Sequence, residues 1–407
     1  MKLANKTIGI WGFGLVGQSA ARLCSQHGAQ VIVFDANETA LRECPHPIAY
    51  NHEALFNQCD FIIPSPGIAI TPYKKMFAGK WLFELDLFQS LFKKKIGAIT
   101  GSIGKTSVTH LLTQTLRAAG LKVMAAGNIG TPLLDCVEKQ HELDLIILEV
   151  SSFQLEHTES FAPDLAIWTN FYPNHLDRHI TIENYFDAKY HLIQFQKSSQ
   201  SALIPIELKN AIEKKQPKSC LHSFDPLEKP QHALPGFKAN LLIIEKALSL
   251  LNIPFPQKIP LTQLEHRLEK VCAIQDTLFI NDSKSTTIAS TKAAVELFKG
   301  KQIILLLGGL SKGVDRSQLI ASLPNTVEVL CFGAESEELF NMCRTYTVRA
   351  TAHTHLFKAI DHALRTLKSN TVVLLSPAGS SFDEFKNFEE RGNLFKKIVL
   401  SYKETMR

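Results

Sequence analysis

The segment 101–107 combines two glycines, a lysine and hydroxyl side chains at the spacing G-x-x-G-K-[ST]. An apolar run enters this turn over 96–100, and a helical pattern leaves it over 108–119. Backbone N–H groups of such a turn, with a helix N-terminus behind them, form a pocket for phosphate. Lys105 would reach the outer phosphates of a nucleotide, and Thr106 would bind Mg²⁺. An ordinary strand–turn–helix with a surface lysine is the alternative, but glycine, lysine and hydroxyl all fall where phosphate binding needs them.

A second glycine turn lies near the start of the chain. A predicted strand over 7–11 is followed by GFGLVG at 12–17, a predicted helix over 18–27, a strand over 30–34 and then Asp35. This order is typical of a dinucleotide-binding unit, which places a pyrophosphate on the helix N-terminus and a ribose hydroxyl on the carboxylate. A UDP-sugar, like NAD, carries both a pyrophosphate and a ribose hydroxyl. An NAD(P)-dependent dehydrogenase and an enzyme of a UDP-linked substrate therefore both stay open at this point.

Polar or glycine-rich turns also follow most of the other predicted strands. These strands are 60–64, 123–126, 143–149, 166–170, 277–280, 301–307, 327–332 and 371–375. Strands that alternate with helices predict parallel sheets, and ligands of such sheets bind at the carboxyl ends of the strands. The sequence therefore predicts an α/β protein with its functional residues in these turns.

The length of 407 residues is too great for a single core and predicts two or three domains. We place the boundaries so that residues 1–93, 94–263 and 264–407 form three α/β domains. The polar stretch 206–232 is expected to be irregular.

Composition excludes several classes of function. Hydrophobic residues make up 45% and charged residues 20%, as in ordinary globular proteins, and the net charge of +5 comes without a basic, aromatic-rich stripe for nucleic acid. The eight cysteines form no C-x-x-C pair, which argues against a zinc site or a disulfide framework. No signal peptide and no apolar run of transmembrane length is visible, so we expect a cytoplasmic protein with no membrane insertion.

Taken together, the motifs resemble those of the Mur ligases, the ATP-dependent amino-acid ligases of peptidoglycan synthesis. The resemblance covers nearly the whole chain and rests on the short phosphate loop together with GNIG at 127–130, LEVSSFQLE at 148–156, NHLDR at 174–178, HR at 266–267, INDSKSTT at 280–287 and LLSPAGSSFDEFKNFEERGNLF at 374–395. It implies a Rossmann-like N-terminal domain that binds the UDP-substrate, a central P-loop ATPase-like domain that binds ATP, and a Rossmann-like C-terminal domain that binds the amino acid.

The last motif, the GFGLVG opening and SPGIA at 65–69 favour the members of this family that add D-glutamate. The resemblance then implies a monomeric enzyme that converts UDP-N-acetylmuramoyl-L-alanine to an acyl phosphate with ATP. The amine of D-glutamate attacks this intermediate, and phosphate leaves.

The resemblance also implies the site residues. Catalysis would fall to Lys105, Glu149, His175 and Lys189. Two Mg²⁺ sites would use Thr106, Glu149, His175 and Lys189, the last if it is carbamylated by CO₂. ATP would contact Gly101, Ser102, Gly104, Lys105, Thr106, Ser107, Asn240, Arg267, Asp282 and Lys284. The UDP-substrate would contact Leu15, Val16, Asp35, Ser65, Gly67, Asn128 and Gln154. D-Glutamate would contact Thr286, Lys312, Ser381 and the backbone of Phe382.

Simpler roles are open for several of these residues. Glu149 and Asp35 could each cap the helix that follows, and Lys189 could lie on a solvated helix face. Phe388, beside the predicted amino-acid pocket, could be a plain core aromatic, and His266 is expected to support structure rather than catalyse.

The chain departs from the family pattern in two places. Ile103 stands in the phosphate loop where the family usually has Asn. The G-x-H-N-x-x-N stretch of the family is shortened here to residues 236–240, in which Asn240 can match only the last Asn. These departures keep a non-catalytic homologue open, beside a Mur-type or folylpolyglutamate ligase that uses another substrate.

Overall fold

A computed structural model describes residues 3–232, 238–260, 262, 264–311 and 313–406, apart from the side chains of residues 238 and 239. The chain divides into two compact units, Met1–Phe171 with Glu183–Leu261 and Tyr172–Ile182 with Thr262–Arg407. The predicted α/β fold with parallel sheets is confirmed. The predicted boundaries at 93/94 and 263/264 stay predictions.

The first part of unit 1 is built on a three-stranded parallel sheet in the order β2-β1-β3. Its elements are β1 Thr7–Trp11, α1 Leu15–Gln26, β2 Gln30–Phe34, α2 Glu38–Leu41, α3 His52–Gln58, β3 Phe61–Pro64, α4 Thr71–Lys74 and α5 Glu84–Leu91. The helix α1 begins at Leu15, inside the GFGLVG motif and three residues earlier than predicted, so its N-terminus lies within the loop that would hold a pyrophosphate.

The second part of unit 1 is a six-stranded parallel sheet in the order β5-β6-β4-β7-β8-β9. Its elements are β4 Lys95–Thr100, α6 Lys105–Ala118, β5 Val123–Gly127, β6 Leu145–Glu149, α7 Ser152–Leu155, β7 Leu165–Trp168, α9 Ile182–Gln194, β8 Ser201–Pro205, α10 Lys209–Glu213, β9 Cys220–Phe224 and α11 Lys238–Leu250, with 3-10 turns at Leu133–Cys136, Gln140–Glu142 and Ile206–Leu208. Because β6 and β7 flank β4, the turns after these three strands are neighbours.

The two sheets of unit 1 share a hydrophobic core. Ile10 of the first sheet and Ala98 of the second belong to one buried cluster, to which α5 contributes Phe88. Polar contacts add to it, since Asp135 accepts hydrogen bonds from Ser19 at 2.8 Å and Arg22 at 2.7 Å. Residues on both sides of position 93 therefore fold into one compact unit.

Unit 2 contains a six-stranded sheet in the order β10-β11-β15-β12-β13-β14. Its elements are α8 Leu176–His179, β10 Glu269–Ile274, β11 Thr277–Asn281, α12 Ile288–Leu297, β12 Gln302–Gly308, α13 Ser317–Ala321, β13 Val327–Phe332, α14 Ser336–Thr345, β14 Ala350–His353, α15 Leu356–Arg365, β15 Thr371–Leu375 and α16 Phe388–Thr405. All neighbouring strands are parallel except β10 and β11, which pair as an antiparallel hairpin.

Both faces of this sheet are buried, which explains its continuous apolar strands. Along β12, Ile304 and Leu306 belong to one core cluster, whereas Ile303, Leu305 and Leu307 belong to another. The carboxyl ends of β11, β15 and β12 lie side by side, so the turns after these strands form one edge.

The expectation of an irregular stretch over 206–232 is wrong in part, because α10 and β9 lie within it. Only Phe224 of β9 is fully buried, since β9 is the outermost strand of its sheet. An edge strand needs few apolar residues, and its pattern is therefore weak. Among the helices of the described residues, none combines the length and the apolar character that spanning a bilayer requires.

Candidate active site

The phosphate loop follows β4, which lies between β6 and β7 in its sheet. Gly101 and Gly104 have φ of +148° and +80°, and a Cβ at Gly101 would lie 2.0 Å from the hydroxyl oxygen of Thr169. Glycine is therefore required at this position. Lys105 opens α6, and its Nζ donates to the carbonyl of Gly101 at 2.8 Å. Ser102, Thr106 and Ser107 are buried around the turn.

Asn170 clamps the backbone of the phosphate loop. Its Oδ1 accepts from the N–H of Ile103 at 2.9 Å, and its Nδ2 donates to the carbonyl of Ile103 at 3.0 Å. Thr169 donates to the same carbonyl at 2.7 Å. The loop is held through the backbone of Ile103, so its side chain can depart from the family pattern without changing these bonds. We did not predict these hydrogen bonds of Asn170. The position of Asn170 after β7, the strand that neighbours β4, is a signal that could have indicated them.

Lys189 lies on α9 with only 1% of its surface exposed, which excludes the solvated helix face. Its Nζ donates to the carbonyl of Gly101 at 2.9 Å and to the hydroxyl of Thr100 at 3.4 Å, and lies 4.6 Å from the ring centroid of Tyr185. Burial lowers the pKa of Lys189 well below its ordinary value, and the charge of Lys105 lowers it further. A buried amine beside the phosphate loop is thus biased toward its neutral form.

Glu149 ends β6 and is also 1% exposed. Its Oε1 accepts from Nδ2 of Asn128 at 2.9 Å, while its buried Oε2 has no hydrogen-bond partner among the described residues. The alternative role of helix capping is wrong, because Ser151 is the N-cap of α7. A buried carboxylate oxygen without a donor suits a cation, and Thr106 supplies a hydroxyl at the N-terminus of α6.

No group of three His, Cys, Asp or Glu side chains that could hold a metal is found in the part of the chain that the structure describes. A Mg²⁺ ion on Glu149 and Thr106 would therefore complete its six oxygen ligands from phosphate and water. This arrangement is the one that Mg²⁺ commonly adopts with nucleotides.

Two other predicted residues of unit 1 have contrasting surroundings. Asn240 lies near the phosphate loop, since a Cβ at Gly104 would be 3.6 Å from its Oδ1. Gln154 instead forms the capping box of α7 with Ser151, and its Nε2 donates to the buried carboxylate of Glu84 at 3.2 Å. These contacts give Gln154 a supporting role in the fold. Of the shortened stretch 236–240, residues 236 and 237 lie outside the described residues.

The first sheet brings its predicted residues to one edge. Oδ2 of Asp35 accepts from the N–H of Phe13 at 2.6 Å, and the hydroxyl of Ser65 donates to the carbonyl of Gly12 at 3.0 Å. Both side chains thus fix the glycine turn, and Asn37 rather than Asp35 caps α2. Leu15 is 74% exposed at the start of α1. Val16 on α1 and Gly67 in the turn after β3 lie at the carboxyl ends of these strands.

His175 belongs to the segment 172–182 of unit 2, where it is the N-cap of α8 with φ +55°. Its N–H donates to Oδ1 of the buried Asn174 at 3.0 Å. A left-handed conformation at a non-glycine residue costs energy and is common at functional sites.

Asp282 follows β11 and is almost completely buried. It accepts hydrogen bonds from the N–H of Leu268 at 3.1 Å, from the hydroxyl of Ser376 at 2.9 Å and from Ser285. Burial raises the pKa of Asp282 to about 6 despite these bonds and the nearby charge of Arg267. The buried Nε of Arg267 has no hydrogen-bond partner among the described residues, so this guanidinium retains a donor for a ligand.

Lys284 and Thr286 lie in the turn after β11, and Ser381 and Phe382 lie in the turn after β15. The amine of Lys284 lies 4.8 Å above the ring of Phe388, which also contacts His266 edge-on. Ser381 is buried, Thr286 is half-buried, and Phe382 is 71% exposed. His266 is buried with its Nδ1 3.0 Å from Nδ2 of Asn281, in agreement with a supporting role. Lys312, predicted to bind D-glutamate, lies outside the described residues.

Three family models match successive parts of the chain. The Mur ligase middle domain matches residues 99–233, and the glutamate ligase domain of Mur ligases matches residues 266–379. The NAD binding domain of D-isomer specific 2-hydroxyacid dehydrogenases matches residues 1–67, a range that contains the first sheet and its glycine turn.

Full-length relatives decide between these matches. A UDP-N-acetylmuramoylalanine–D-glutamate ligase of Oleidesulfovibrio alaskensis is 32% identical over 96% of this chain and 93% of that protein. One of Desulfovibrio desulfuricans is 32% identical over 97% of this chain and 96% of that protein. The chain belongs to the Mur ligase family. The predicted ATP-dependent ligase is confirmed, and the dehydrogenase alternative accounts for the first sheet alone.

Solved Mur ligases have the same fold. The crystal structure of MurF from Acinetobacter baumannii superimposes with a TM-score of 0.62 at 12% identity, over 97% of this chain and 91% of that chain. At this identity the likeness concerns the fold and not the substrate.

Proposed function

We propose that this Mur ligase joins D-glutamate to UDP-N-acetylmuramoyl-L-alanine at the expense of ATP, in the synthesis of peptidoglycan precursors. The observation that supports this choice of substrates is the full-length similarity to relatives named UDP-N-acetylmuramoylalanine–D-glutamate ligase. The geometry of the phosphate loop, Glu149 and Lys189 supports the chemistry.

An amide does not form from a carboxylate and an amine in water without activation of the carboxylate. In the proposed reaction the carboxylate attacks the γ-phosphorus of ATP, and ADP leaves. The amine of D-glutamate then attacks the acyl phosphate, loses a proton, and phosphate departs with the C–O bonding pair. Lys105 would stabilise the phosphoryl group in flight, because its Nζ already lies over the loop at Gly101.

Glu149 and Thr106 are the proposed holders of Mg²⁺, which would neutralise phosphate charge when bound. The orphaned Oε2 of Glu149 supports this assignment. His175 remains the predicted ligand of a second Mg²⁺.

Lys189 is proposed to react with CO₂ as its neutral amine. The nitrogen lone pair forms the N–C bond, one proton leaves, and a carbamate anion replaces a cation. Burial and the lowered pKa of Lys189 favour this step, since only the neutral amine is a nucleophile.

The substrate assignments follow the edges of the sheets. In unit 1 we assign the UDP-substrate to Leu15, Val16, Asp35, Ser65, Gly67, Asn128 and Gln154, with Gln154 the weakest because its amide is already bonded. ATP is assigned to two sets of residues, in unit 1 to Gly101, Ser102, Gly104, Lys105, Thr106, Ser107 and Asn240, and in unit 2 to Arg267, Asp282 and Lys284. D-Glutamate is assigned to Thr286, Lys312, Ser381 and Phe382. We further propose a monomeric, cytoplasmic enzyme with domains at 1–93, 94–263 and 264–407.

Release of ADP tests the proposal. Purified protein receives Mg²⁺-ATP, UDP-N-acetylmuramoyl-L-alanine and one amino acid at a time, among them D-glutamate, L-glutamate, L-alanine and diaminopimelate, and the product is weighed by mass spectrometry. ADP release that needs both the UDP-substrate and D-glutamate is the expected result. Release with another amino acid would overturn the substrate choice, and no release with any amino acid would favour a non-catalytic homologue.

A further inference from the structure

Arg391 is a fully buried cation in unit 2 that no step of the proposed reaction uses. It lies in the first turn of α16 with 0% of its surface exposed. Its Nε donates to the hydroxyl of Ser283 at 3.0 Å and its Nη2 to the carbonyl of Ser283 at 2.7 Å. Both Nη1 and Nη2 donate to the carbonyl of Gly379 at 3.1 Å. One guanidinium thus joins two turns that are nearly a hundred residues apart in sequence.

These two turns carry most of the residues assigned to ligands in unit 2. The Asp282 turn, residues 282–287, contains Asp282, Lys284 and Thr286, and the Ser381 turn, residues 376–382, contains Ser381 and Phe382. They follow β11 and β15, which are neighbours in the sheet. The distance between the predicted nucleotide residues and the predicted D-glutamate residues of this unit therefore depends on how the two turns are joined.

A third turn approaches the same guanidinium. Gly309 follows β12, and a Cβ placed there would lie 3.0 Å from Nη1 of Arg391 and 2.1 Å from the carbonyl oxygen of Ser380. A Cβ at Gly379 would lie 2.4 Å from the carbonyl oxygen of Gly308. The turns after β15 and β12 thus touch backbone to backbone, with no room for side chains between them.

Two close contacts hold α16 against the residues around it. The hydroxyl of Ser283 donates to the carbonyl of Phe388 at 2.8 Å. Gly392, the residue after Arg391, allows α16 to pack closely against His266, because a Cβ at position 392 would lie 2.2 Å from Nδ1 of His266. Helix α16 is therefore seated so that Arg391 reaches both turns in one rotamer.

Burying a charged side chain is costly unless its donors are satisfied. Burial lowers the pKa of Arg391 to about 10, and the nearby Asp383 and Glu384 oppose this shift, so the side chain remains a cation near neutral pH. A planar fork can bond Ser283 and Gly379 together, whereas a lysine ammonium on a flexible stem cannot reproduce that geometry.

We propose that Arg391 is a positioning residue that sets the separation of the Asp282 turn from the Ser381 turn, and thereby the affinity for the amino-acid substrate. This inference rests on the proposed function, in which these turns hold D-glutamate. Arg391 is not among the residues assigned to any of the three substrates, and its effect is transmitted through Ser283 and Gly379.

The test compares steady-state kinetics of the full-length enzyme with Arg391→Lys, Ser283→Ala and a control, Val399→Ala. Val399 is buried on the same helix, and its truncation lowers stability without touching either turn. We expect Arg391→Lys to raise KM for D-glutamate at least tenfold, with a change below twofold in KM for UDP-N-acetylmuramoyl-L-alanine. Ser283→Ala keeps the arginine but removes the acceptor of its Nε and the donor to the Phe388 carbonyl, and should raise KM for D-glutamate about threefold.

The inference is overturned if a folded Arg391→Lys enzyme keeps the wild-type KM for D-glutamate, or if Val399→Ala shifts KM in the same way. If Arg391→Lys does not fold, the Ser283→Ala result decides alone, and an unchanged KM overturns the inference. The wild-type measurement tests the proposed function separately. Should the wild type use a different amino acid, the same ratio of KM values is taken for that amino acid.

Discussion

The carboxyl edges of the central sheet in unit 1 and of the sheet in unit 2 both bury charged side chains, but they satisfy them differently. At the central edge, Oε2 of Glu149 has no donor within the described residues, and burial together with the charge of Lys105 lowers the pKa of Lys189. At the edge in unit 2, Asp282 accepts three hydrogen bonds and Arg391 donates four, although the buried Nε of Arg267 has no acceptor among the described residues.

We interpret the central edge as the place where the reaction occurs and the edge in unit 2 as one that holds its ligands in place. A buried carboxylate oxygen such as Oε2 of Glu149, which accepts no hydrogen bond from the described residues, is costly and persists where a ligand completes it. Charges that serine hydroxyls and backbone groups complete fix the shape of a turn instead. The comparison predicts that changes at the central edge mainly affect kcat, whereas changes in unit 2 mainly affect KM or stability.

The largest expected effect is at Lys105. Lys105→Ala should lower kcat at least about 1,000-fold, the scale found when a cation that stabilises a transferred phosphoryl group is lost. Release of ADP measures the loss, and Lys95→Ala, at the exposed start of the strand that leads into the loop, is the matched control. Turnover that survives in Lys105→Ala would contradict the assignment of this edge to phosphoryl transfer.

Glu149→Gln should lower kcat roughly 100-fold and raise the Mg²⁺ concentration needed for half-maximal rate. The amide can still accept from Asn128 but no longer offers a second anionic oxygen to a cation. A titration of the rate with Mg²⁺ measures both changes. An unaltered Mg²⁺ requirement would show that Glu149 is not a metal ligand.

At Asp282 the expected effect is on stability. Because the pKa of Asp282 is raised from 3.8 to about 6 in the folded protein, the folded state binds more protons than the unfolded state between these values. Stability is therefore lost as the pH rises from 4 to 6, by up to about 3 kcal/mol. Asp282→Asn should lack this loss, as measured by urea unfolding across that range.

The control for this experiment is Asp315→Asn. Hydrogen bonds from Ser317 lower the pKa of Asp315, so its contribution to stability has the opposite sign and grows as the pH rises. Parallel pH profiles of the wild type and Asp282→Asn would contradict the account of a buried carboxyl with a raised pKa.

The smallest expected effect is that of Lys189 on stability above neutral pH. The unfolded lysine binds a proton up to pH 10.5, whereas the folded amine loses it well below that pH. In CO₂-free buffer the wild type should therefore become more stable from pH 8 to 9.5, by at most about 1.4 kcal/mol per pH unit. Lys189→Met should lack this slope in urea unfolding, and equal slopes would mean that the amine is charged in the fold.

Local sequence signals were sufficient for much of this fold. Glycine at 101 and 104 and the apolar strand before them predicted the phosphate loop, because a turn of this kind depends on a few neighbouring residues. The same holds for the turns after β1 and β11. Sequence could not predict the partners of those turns. Asn170 with Ile103 and Arg391 with Ser283 are contacts between residues 67 and 108 positions apart, which depend on the order of strands in the sheets.

Gln154 is another residue whose distant partners in the fold could not be predicted from the sequence. Its position after β6 suggested a substrate contact, yet its amide lies between Ser151 and Glu84, 70 residues earlier in the chain. A polar residue at a strand end can serve the fold as well as a ligand, and local sequence does not indicate a partner in the fold that lies so far away in the chain.

The main claim is that the substrate carboxylate is activated by phosphorylation at the phosphate loop. Transfer of an oxygen atom from this carboxylate to the released phosphate is its most direct test. UDP-N-acetylmuramoyl-L-alanine labelled with ¹⁸O in its alanyl carboxylate is incubated with the enzyme, Mg²⁺-ATP and D-glutamate, and the released phosphate is analysed by mass spectrometry. The account predicts one ¹⁸O atom in each phosphate, because the acyl phosphate breaks at its C–O bond. Phosphate without label, released together with the amide product, would contradict it.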